Sequence, residues 1–277
     1  MNIAARMIEG GCGDVMVAGG VESMSRAPMV ISKGQSAFDR TCKMHDTTIG
    51  WRFINPKLSE MYTPFSMGET AENVARQWSI SRESQDQFAW ESQQKWKAAA
   101  DAGKWEDEIT PVSIPQRKGD PLIVSTDEHP RPDVSLEKLG TLKPVFSDAD
   151  DATVTAGNSS GVNDGSAAVV LVEASLAKSL GLSIMGYVGA SASAGVDPAI
   201  MGTGPINATN TLIERTRLSI DDIDLVELNE AFAAQSIACI QELGFQNSIV
   251  NVNGGAIAMG HPLGCSEIGR ASVRERV

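Results

Sequence analysis

From residue 166 onward the chain alternates between strand-like and helix-like patterns, and this alternation confines it to α/β layers. Residues 166–173 (SAAVVLVE) form an unbroken apolar run of strand length. A helical segment then reaches Leu180 and stops at Gly181. Residues 185–196 read as another strand, Pro205 opens a helix, and residues 224–228 (DLVEL) read as a strand. A helix over 231–243 ends at Gly244, and 248–252 (SIVNV) is again strand-like. Apolar runs separated by helices are the pattern of strands covered on both faces, so the strands are expected to run parallel.

The front of the chain starts in the same rhythm. Ile3, Ala4, Met7 and Ile8 share one helical face, the glycines at 10, 11 and 13 stop that helix, and 14–20 (DVMVAGG) read as a short buried strand. Residues 31–65 lose all periodicity. At Ser66 a helix restarts: Ser66 and Glu69 match a capping box, with Met67, Ala71, Val74, Ala75 and Trp78 as its apolar stripe. A second helix follows from about Ser81 with Phe88, Ala89 and Trp96 inward. Residues 105–150 are rich in proline and charge, with strand-like runs at 109–114 and 121–125. The span from about 30 to 160 therefore reads as one insertion between two α/β parts.

Charge narrows the partners. Thirty-five acidic residues against 23 basic ones give a net charge of −12, which disfavours nucleic acid and anionic membrane surfaces. A polyanionic ligand would have to be met by a local cluster of Arg or Lys. The cysteines, Cys12, Cys42, Cys239 and Cys265, lie far apart with no CxxC pair, as expected of a reduced cytoplasmic protein. His45, His129 and His261 show no metal-ligand spacing, so no metal site is expected. No run is long and apolar enough for a membrane helix.

Ligands of open parallel sheets gather where strands end, and three stretches fall at such places. These are 155–170 (TAGNSSGVNDGSAAVV), 227–235 (ELNEAFAAQ) and 251–265 (NVNGGAIAMGHPLGC). The last carries no acidic or basic charge yet holds His261, in a chain with 21% charged residues. Each has a plain structural reading as well. Asn229 can be a helix N-cap, Glu230 can complement a helix dipole, and His261 can be a histidine that only supports a turn. The residues 202–205 (GTGP) lack the ending of a phosphate loop.

Taken in chain order, "VMVAGGVESMSRAP", "MGETAENVA", "TAGNSSGVNDGSAAVVL", "NEAFAAQ" and "NVNGGAIAMGHPLG" resemble the thiolase family, the acyl-CoA C-acyltransferases. The resemblance runs from Met1 to about Ser266 and is nearest to the biosynthetic acetoacetyl-CoA type. It implies a five-layer α-β-α-β-α fold with an inserted loop domain. Residues 1–30 and 163–182 would belong to the N-terminal half, 31–162 to a loop domain over coenzyme A, and 183–277 to the C-terminal half. It further implies reversible condensation of acetyl-CoA, or thiolysis of a 3-ketoacyl-CoA, in a cytoplasmic homo-oligomer (dimer or tetramer) that needs no cofactor because CoA is itself a substrate.

Residue by residue, His261 in GHPLG matches the family's catalytic base, and Asn229 in NEAF matches the asparagine of an oxyanion hole. Ser160 matches a pantetheine contact. Met67, Phe146, Ala156, Ala231 and Phe232 match the lining of the CoA tunnel, and Arg131 falls where the family has an arginine near the nucleotide. The family's nucleophilic cysteine would fall just before Met1, and its second catalytic cysteine beyond Val277. The tail SEIGRASVRERV departs from the pattern after Ser266 and reads as a frameshift or foreign read-through. The chain alone is therefore expected to lack activity and to expose apolar sheet edges. A non-catalytic CoA- or lipid-binding protein is the competing reading.

Overall fold

The computed structural model describes residues 1–34 and 36–269. Of the tail read above as read-through, the part up to Gly269 belongs to a helix and the rest lies outside the described residues. In order, the elements are α1 (Asn2–Glu9), β1 (Val15–Glu22), β2 (Met29–Ile31), β3 (Met44–Asp46), α2 (Pro56–Ser59), α3 (Met67–Gln77), α4 (Arg82–Asp101), β4 (Val112–Ile114), β5 (Leu122–Val124) and α5 (Leu136–Gly140). Then follow β6 (Gly165–Val172), α6 (Ala174–Ser179), α7 (Gly204–Thr216), α8 (Ala233–Leu243), α9 (Ala256–Met259) and α10 (Leu263–Gly269). No helix among the described residues is long and apolar enough to cross a membrane.

The helix boundaries follow from local chemistry. At the start of α3 the Ser66 Oγ accepts from the Glu69 N–H at 3.4 Å, and the Glu69 carboxylate accepts from the Ser66 N–H at 2.7 Å, closing the capping box. The Ser81 Oγ caps α4 through the Ser84 N–H at 3.1 Å. Gly244, at φ 70°, ends α8 in the left-handed conformation that suits a residue without Cβ.

The core is helical. The inner face of α8 is Ala233, Ala234, Ala238 and Cys239, all fully buried. These small side chains let α3 and α4 approach closely. Val74 and Ile80 pack on Ala238, while Ala89, Leu139 and Ile257 pack on Ala233. The two helices of the expected insertion are thus built into the packing around α8. At the front, Ala5 of α1 packs on Ala18 and Leu171 of the β1–β6 ribbon.

Several expectations need correction. The inward face of α1 is Ala4, Ala5 and Ile8; Ile3 is 79% exposed and Met7 also faces solvent. Strand β1 is buried on one face only: Ala18 packs inward, while Val15, Val17 and Val21 lie open on the face that also exposes Val170. β1 pairs with β6 antiparallel, Val15 opposite Val172 through Glu22 opposite Gly165. A crossover helix enforces parallel pairing only when it joins strands directly; here a long insertion separates them and leaves the direction free. Residues 185–196 form no strand, and Met185 is 86% exposed. Residues 224–228 and 248–252 contribute a single parallel bridge, Val226 to Val250. The run 248–252 instead begins in a 3-10 turn at Asn247–Ile249. Apolar composition marked these segments as strand-like, but a strand needs a partner within reach, and none pairs with them further among the described residues.

Candidate active site

The three stretches meet. Ser159 bridges Phe232 in antiparallel fashion, the Ser160 N–H donates to the Ala231 carbonyl at 3.0 Å, and the Ala233 N–H donates to the Asn158 carbonyl at 2.9 Å. The first stretch therefore lies along the second. The second is tied to the third by Asn251, whose side-chain oxygen accepts from the Leu228 N–H and whose amide donates to the Leu228 carbonyl, both at 2.8 Å.

Glu230 sits at the centre of this junction, 1% exposed. Its carboxylate accepts from the Ser92 hydroxyl of α4 at 2.7 Å, the Asn251 amide at 2.7 Å and the Ile257 N–H at 3.1 Å. The double glycine has its physical reason here. A Cβ on Gly255 would lie 2.1–2.3 Å from the Glu230 carboxyl atoms, and Gly254, at φ 85°, fits directly against the backbone of α4. The dipole role considered for Glu230 gives way to a knot joining three segments. Replacing Glu230 by Ala strands three buried donors, so a loss of about 3 kcal/mol or more is expected in denaturant unfolding. A loss below about 1 kcal/mol would show that the knot contributes little.

The knot fixes the two side chains on either side of it. The Asn229 Nδ2 lies 3.1 Å from the His261 Nε2. Since α8 begins at Ala233 with Phe232 as its N-cap, Asn229 caps no helix. An amide nitrogen donates, so the contact is a hydrogen bond in the tautomer that leaves Nε2 its lone pair. His261 is held from the other half of the chain by Asn163, whose Oδ1 accepts from the His261 N–H at 3.2 Å. Gly260, at φ 93°, leaves room for that amide, which a Cβ would meet at 2.4 Å. An imidazole beside an amide, between glycine walls, can take a proton from a thiol and, once protonated, donate toward an oxygen that gains negative charge.

The residues expected to line the tunnel meet only in part. Phe146 and Phe232 meet edge to face with centroids 5.9 Å apart, and the Phe146 ring covers Gly68, where a Cβ would come within 2.0 Å. Met67, at the start of α3, and Ala156 are exposed, while Ser160 and Ala231 are partly buried. Arg131 lines an open cleft of about 400 Å³ with Pro130, Pro132, Asp133 and Val134. Its Nη1 donates to the carbonyls of Glu128, His129 and Pro130 at 2.7–2.9 Å. Its loop is held to the site wall by the buried Gln93, which accepts from the Arg131 N–H at 2.8 Å and donates to the Ile257 carbonyl at 3.3 Å.

Sequence reasoning passed over Gln93, Ser92, Asn163 and His129. The His129 ring lies over Gly161, where a Cβ would come within 2.2 Å of it. Burial pushes its imidazole below the ordinary range, opposed by a hydrogen bond with the Ile257 backbone. Polar residues inside helices and loops carry no one-dimensional sign of what they face, and only Gly161 and Gly260 hinted at close neighbours.

The cysteines stand elsewhere. Cys12 and Cys42 are exposed. Cys239 is buried in α8, its Sγ 3.6 Å from the Gly202 carbonyl, and burial pushes its thiol up to about 12. The Cys265 Sγ faces Gly165 of β6. Thiol titration of the native chain at pH 8 should thus label Cys12 and Cys42 readily and Cys239 only after denaturation. Rapid native labelling of Cys239 would contradict its burial.

Residues 1–175 match the family model "Thiolase, N-terminal domain", and residues 182–273 match "Thiolase, C-terminal domain". The chain is 51% identical over 266 residues to the β-ketoadipyl-CoA thiolase of Acinetobacter baylyi, covering 95% of this chain and 66% of that protein. It is 50% identical over 268 residues to the 3-oxoadipyl-CoA/3-oxo-5,6-dehydrosuberyl-CoA thiolase of Escherichia coli K12, covering 96% and 66% respectively. The crystal structure of the Bacillus anthracis acetyl-CoA acetyltransferase superposes with a TM-score of 0.85 at 40% identity, over 95% of this chain and 65% of that one. The chain thus spans about two thirds of the length of the curated relatives it matches.

Proposed function

Since the chain belongs to the thiolase family and shares its α/β fold, we propose that Asn229 and His261 form the proton-transfer and oxyanion half of a thiolase site. The reaction is thiolysis of a 3-ketoacyl-CoA by CoA, with the reverse Claisen condensation, and no cofactor enters it. The observation that carries this reading is the 3.1 Å contact of Asn229 with His261, held by the Glu230 knot and Asn163. Acetoacetyl-CoA is the simplest substrate of the class. The relatives at 50–51% identity are thiolases of 3-oxo dicarboxylyl-CoA esters by name, and on that basis the substrate is assigned to this class.

In this reading His261 draws the proton from a thiol, and Asn229 with His261 stabilises the enolate oxygen of acetyl-CoA as the carbon–carbon bond forms or breaks. Residues 31–162 cover the CoA. Met67, Phe146, Ala156, Ala231 and Phe232 line its pantetheine path, Ser160 meets the pantetheine amide, and Arg131 faces the phosphates from its cleft. The exposed valines of β1 and β6 support association with further copies of the chain. The reading places the protein in the cytoplasm. A second reading, CoA binding without catalysis, is favoured by the burial of Cys239 in α8 and the exposure of Cys12 and Cys42.

Calorimetric titration with CoA tests the shared part of both readings, and a chain that binds no CoA refutes both. Arg131→Ala should weaken CoA binding about 10-fold or more, the worth of one charge-assisted contact. Binding of a pantetheine thioester lacking the nucleotide should stay unchanged. Equal weakening of both would place the role of Arg131 in the fold. To separate the readings, the flanking segments of the Acinetobacter relative can be joined to this chain. Thiolysis by that chimera supports catalysis, and CoA binding without turnover supports the second reading.

A further inference from the structure

Of the three histidines, His45 lies in β3 against Phe53, and His261 faces Asn229. His129 takes no part in the proposed reaction, yet its half-buried ring stands against the stretch that holds His261. A Cβ on Gly161 would come within 2.2 Å of the His129 Cε1, 2.6 Å of its Nδ1 and 2.6 Å of the Asn163 Oδ1. The Gly161 backbone therefore packs against the imidazole and the Asn163 amide together. That same Oδ1 accepts from the His261 N–H at 3.2 Å. Ring, glycine, amide and His261 backbone follow one another at packing distance, and close-packed groups pass a displacement on.

The ring is also tied to the core of the site. It forms a hydrogen bond with the Ile257 backbone, and the Ile257 carbonyl accepts from Gln93 at 3.3 Å. Ile257 in turn gives its N–H to Glu230, the chain neighbour of Asn229. The contacts thus close a circuit from Asn229 through Ile257 and His129 back to His261. The charges acting on the ring are Arg131 and Asp127. The Arg131 Nη1 meets the His129 carbonyl at 2.7 Å, so its contact is with the backbone of this residue.

We propose that His129 is a positioning residue for the thiolase pair. Its ring wedges the 161–163 stretch against His261 and so sets the distance from that imidazole to Asn229. The assignment rests on the thiolase-site reading above. A misplacement of about 1 Å in a reacting group costs on the order of 10²-fold in rate. A wedge outside the contact therefore bears on the chemistry within it.

With three histidines in the chain, the test needs no turnover. In the 277-residue chain with nitrogen-15-labelled imidazoles, the ring nitrogen signals are assigned by single substitutions. His129→Ala should move the His261 signals, which report the Asn229 contact, and leave those of His45 in place. His129→Gln offers an amide to Ile257 but no ring, and it should move them as far. His129→Phe keeps a flat ring over Gly161, and Gln93 still serves the Ile257 carbonyl, so the His261 signals should return most of the way to their wild-type values. His261 signals that stay unmoved in His129→Ala overturn the assignment, even where the unfolding midpoint falls, since His129 would then serve the core alone. Signals that move together with those of His45, or equally in His129→Phe and His129→Ala, overturn it as well. Titration with CoA separates the two levels. A wild-type chain that binds no CoA removes the thiolase-site reading and this role together, whereas CoA binding with unmoved His261 signals removes the role alone.

Discussion

The 277-residue chain is expected to show no thiolysis of acetoacetyl-CoA above the uncatalysed rate, and none of its cysteines should become acylated. The family's reaction passes the acyl group through a cysteine thiolate, and a thiol attacks only when deprotonated and within reach of the substrate carbon. Cys239 fails on both counts, with its thiol pushed up to about 12 and its Sγ turned to the Gly202 carbonyl inside the core. Cys12 lies in the exposed turn after α1, and Cys42 just before β3. Cys265 is near His261 in sequence, but its Sγ is directed at Gly165 of the ribbon. An oxyanion hole stabilises only an intermediate that has first been formed, so Asn229 and His261 alone yield nothing measurable. Loss of the acetoacetyl-CoA absorbance, with mass spectrometry of the recovered protein, checks this. Turnover, or acetylation of any of the four thiols, would refute it.

What could be read in advance divides by the range of the interactions. The capping boxes and glycine stops act within a few residues, and α3, α4, α6 and α8 begin or end where Ser66, Ser81, Gly181 and Gly244 place them. Strands depend on partners distant in the chain. Residues 185–196 look as apolar as β6, yet only β6 has a ladder to join, and its direction against β1 followed from chain connection and not from composition. The site shows the same division. Asn229 and His261 stood out through their motifs, whereas Asn163 and Ser92 became visible only once Gly260 and Gly255 were seen to make room for their partners. The glycine-rich, uncharged stretch around His261 thus has a packing reason before any catalytic one: its backbone must pass against a buried carboxylate and an amide.

In the chimera carrying the flanking segments of the Acinetobacter relative, His261→Ala should lower kcat by about 10²–10⁴-fold, the usual worth of a positioned acid–base group. The imidazole is half-buried, and apart from Asn229 the groups that build its walls are satisfied without it. Asn163 holds the His261 backbone, and Glu230 is served by Ser92, Asn251 and Ile257. Removing the ring therefore leaves the walls standing, so the loss should appear in kcat with little change in the unfolding midpoint or in CoA affinity. Asn229→Ala should act in the same direction but less strongly, because it removes a dipole from the hole and not the proton carrier. The two losses should fall short of additivity in the double variant, since the side chains are 3.1 Å apart and serve one oxygen. A kcat change below about 10-fold for His261→Ala, or an equal fall in stability, would assign this histidine to the turn it occupies and leave the pair without a catalytic role.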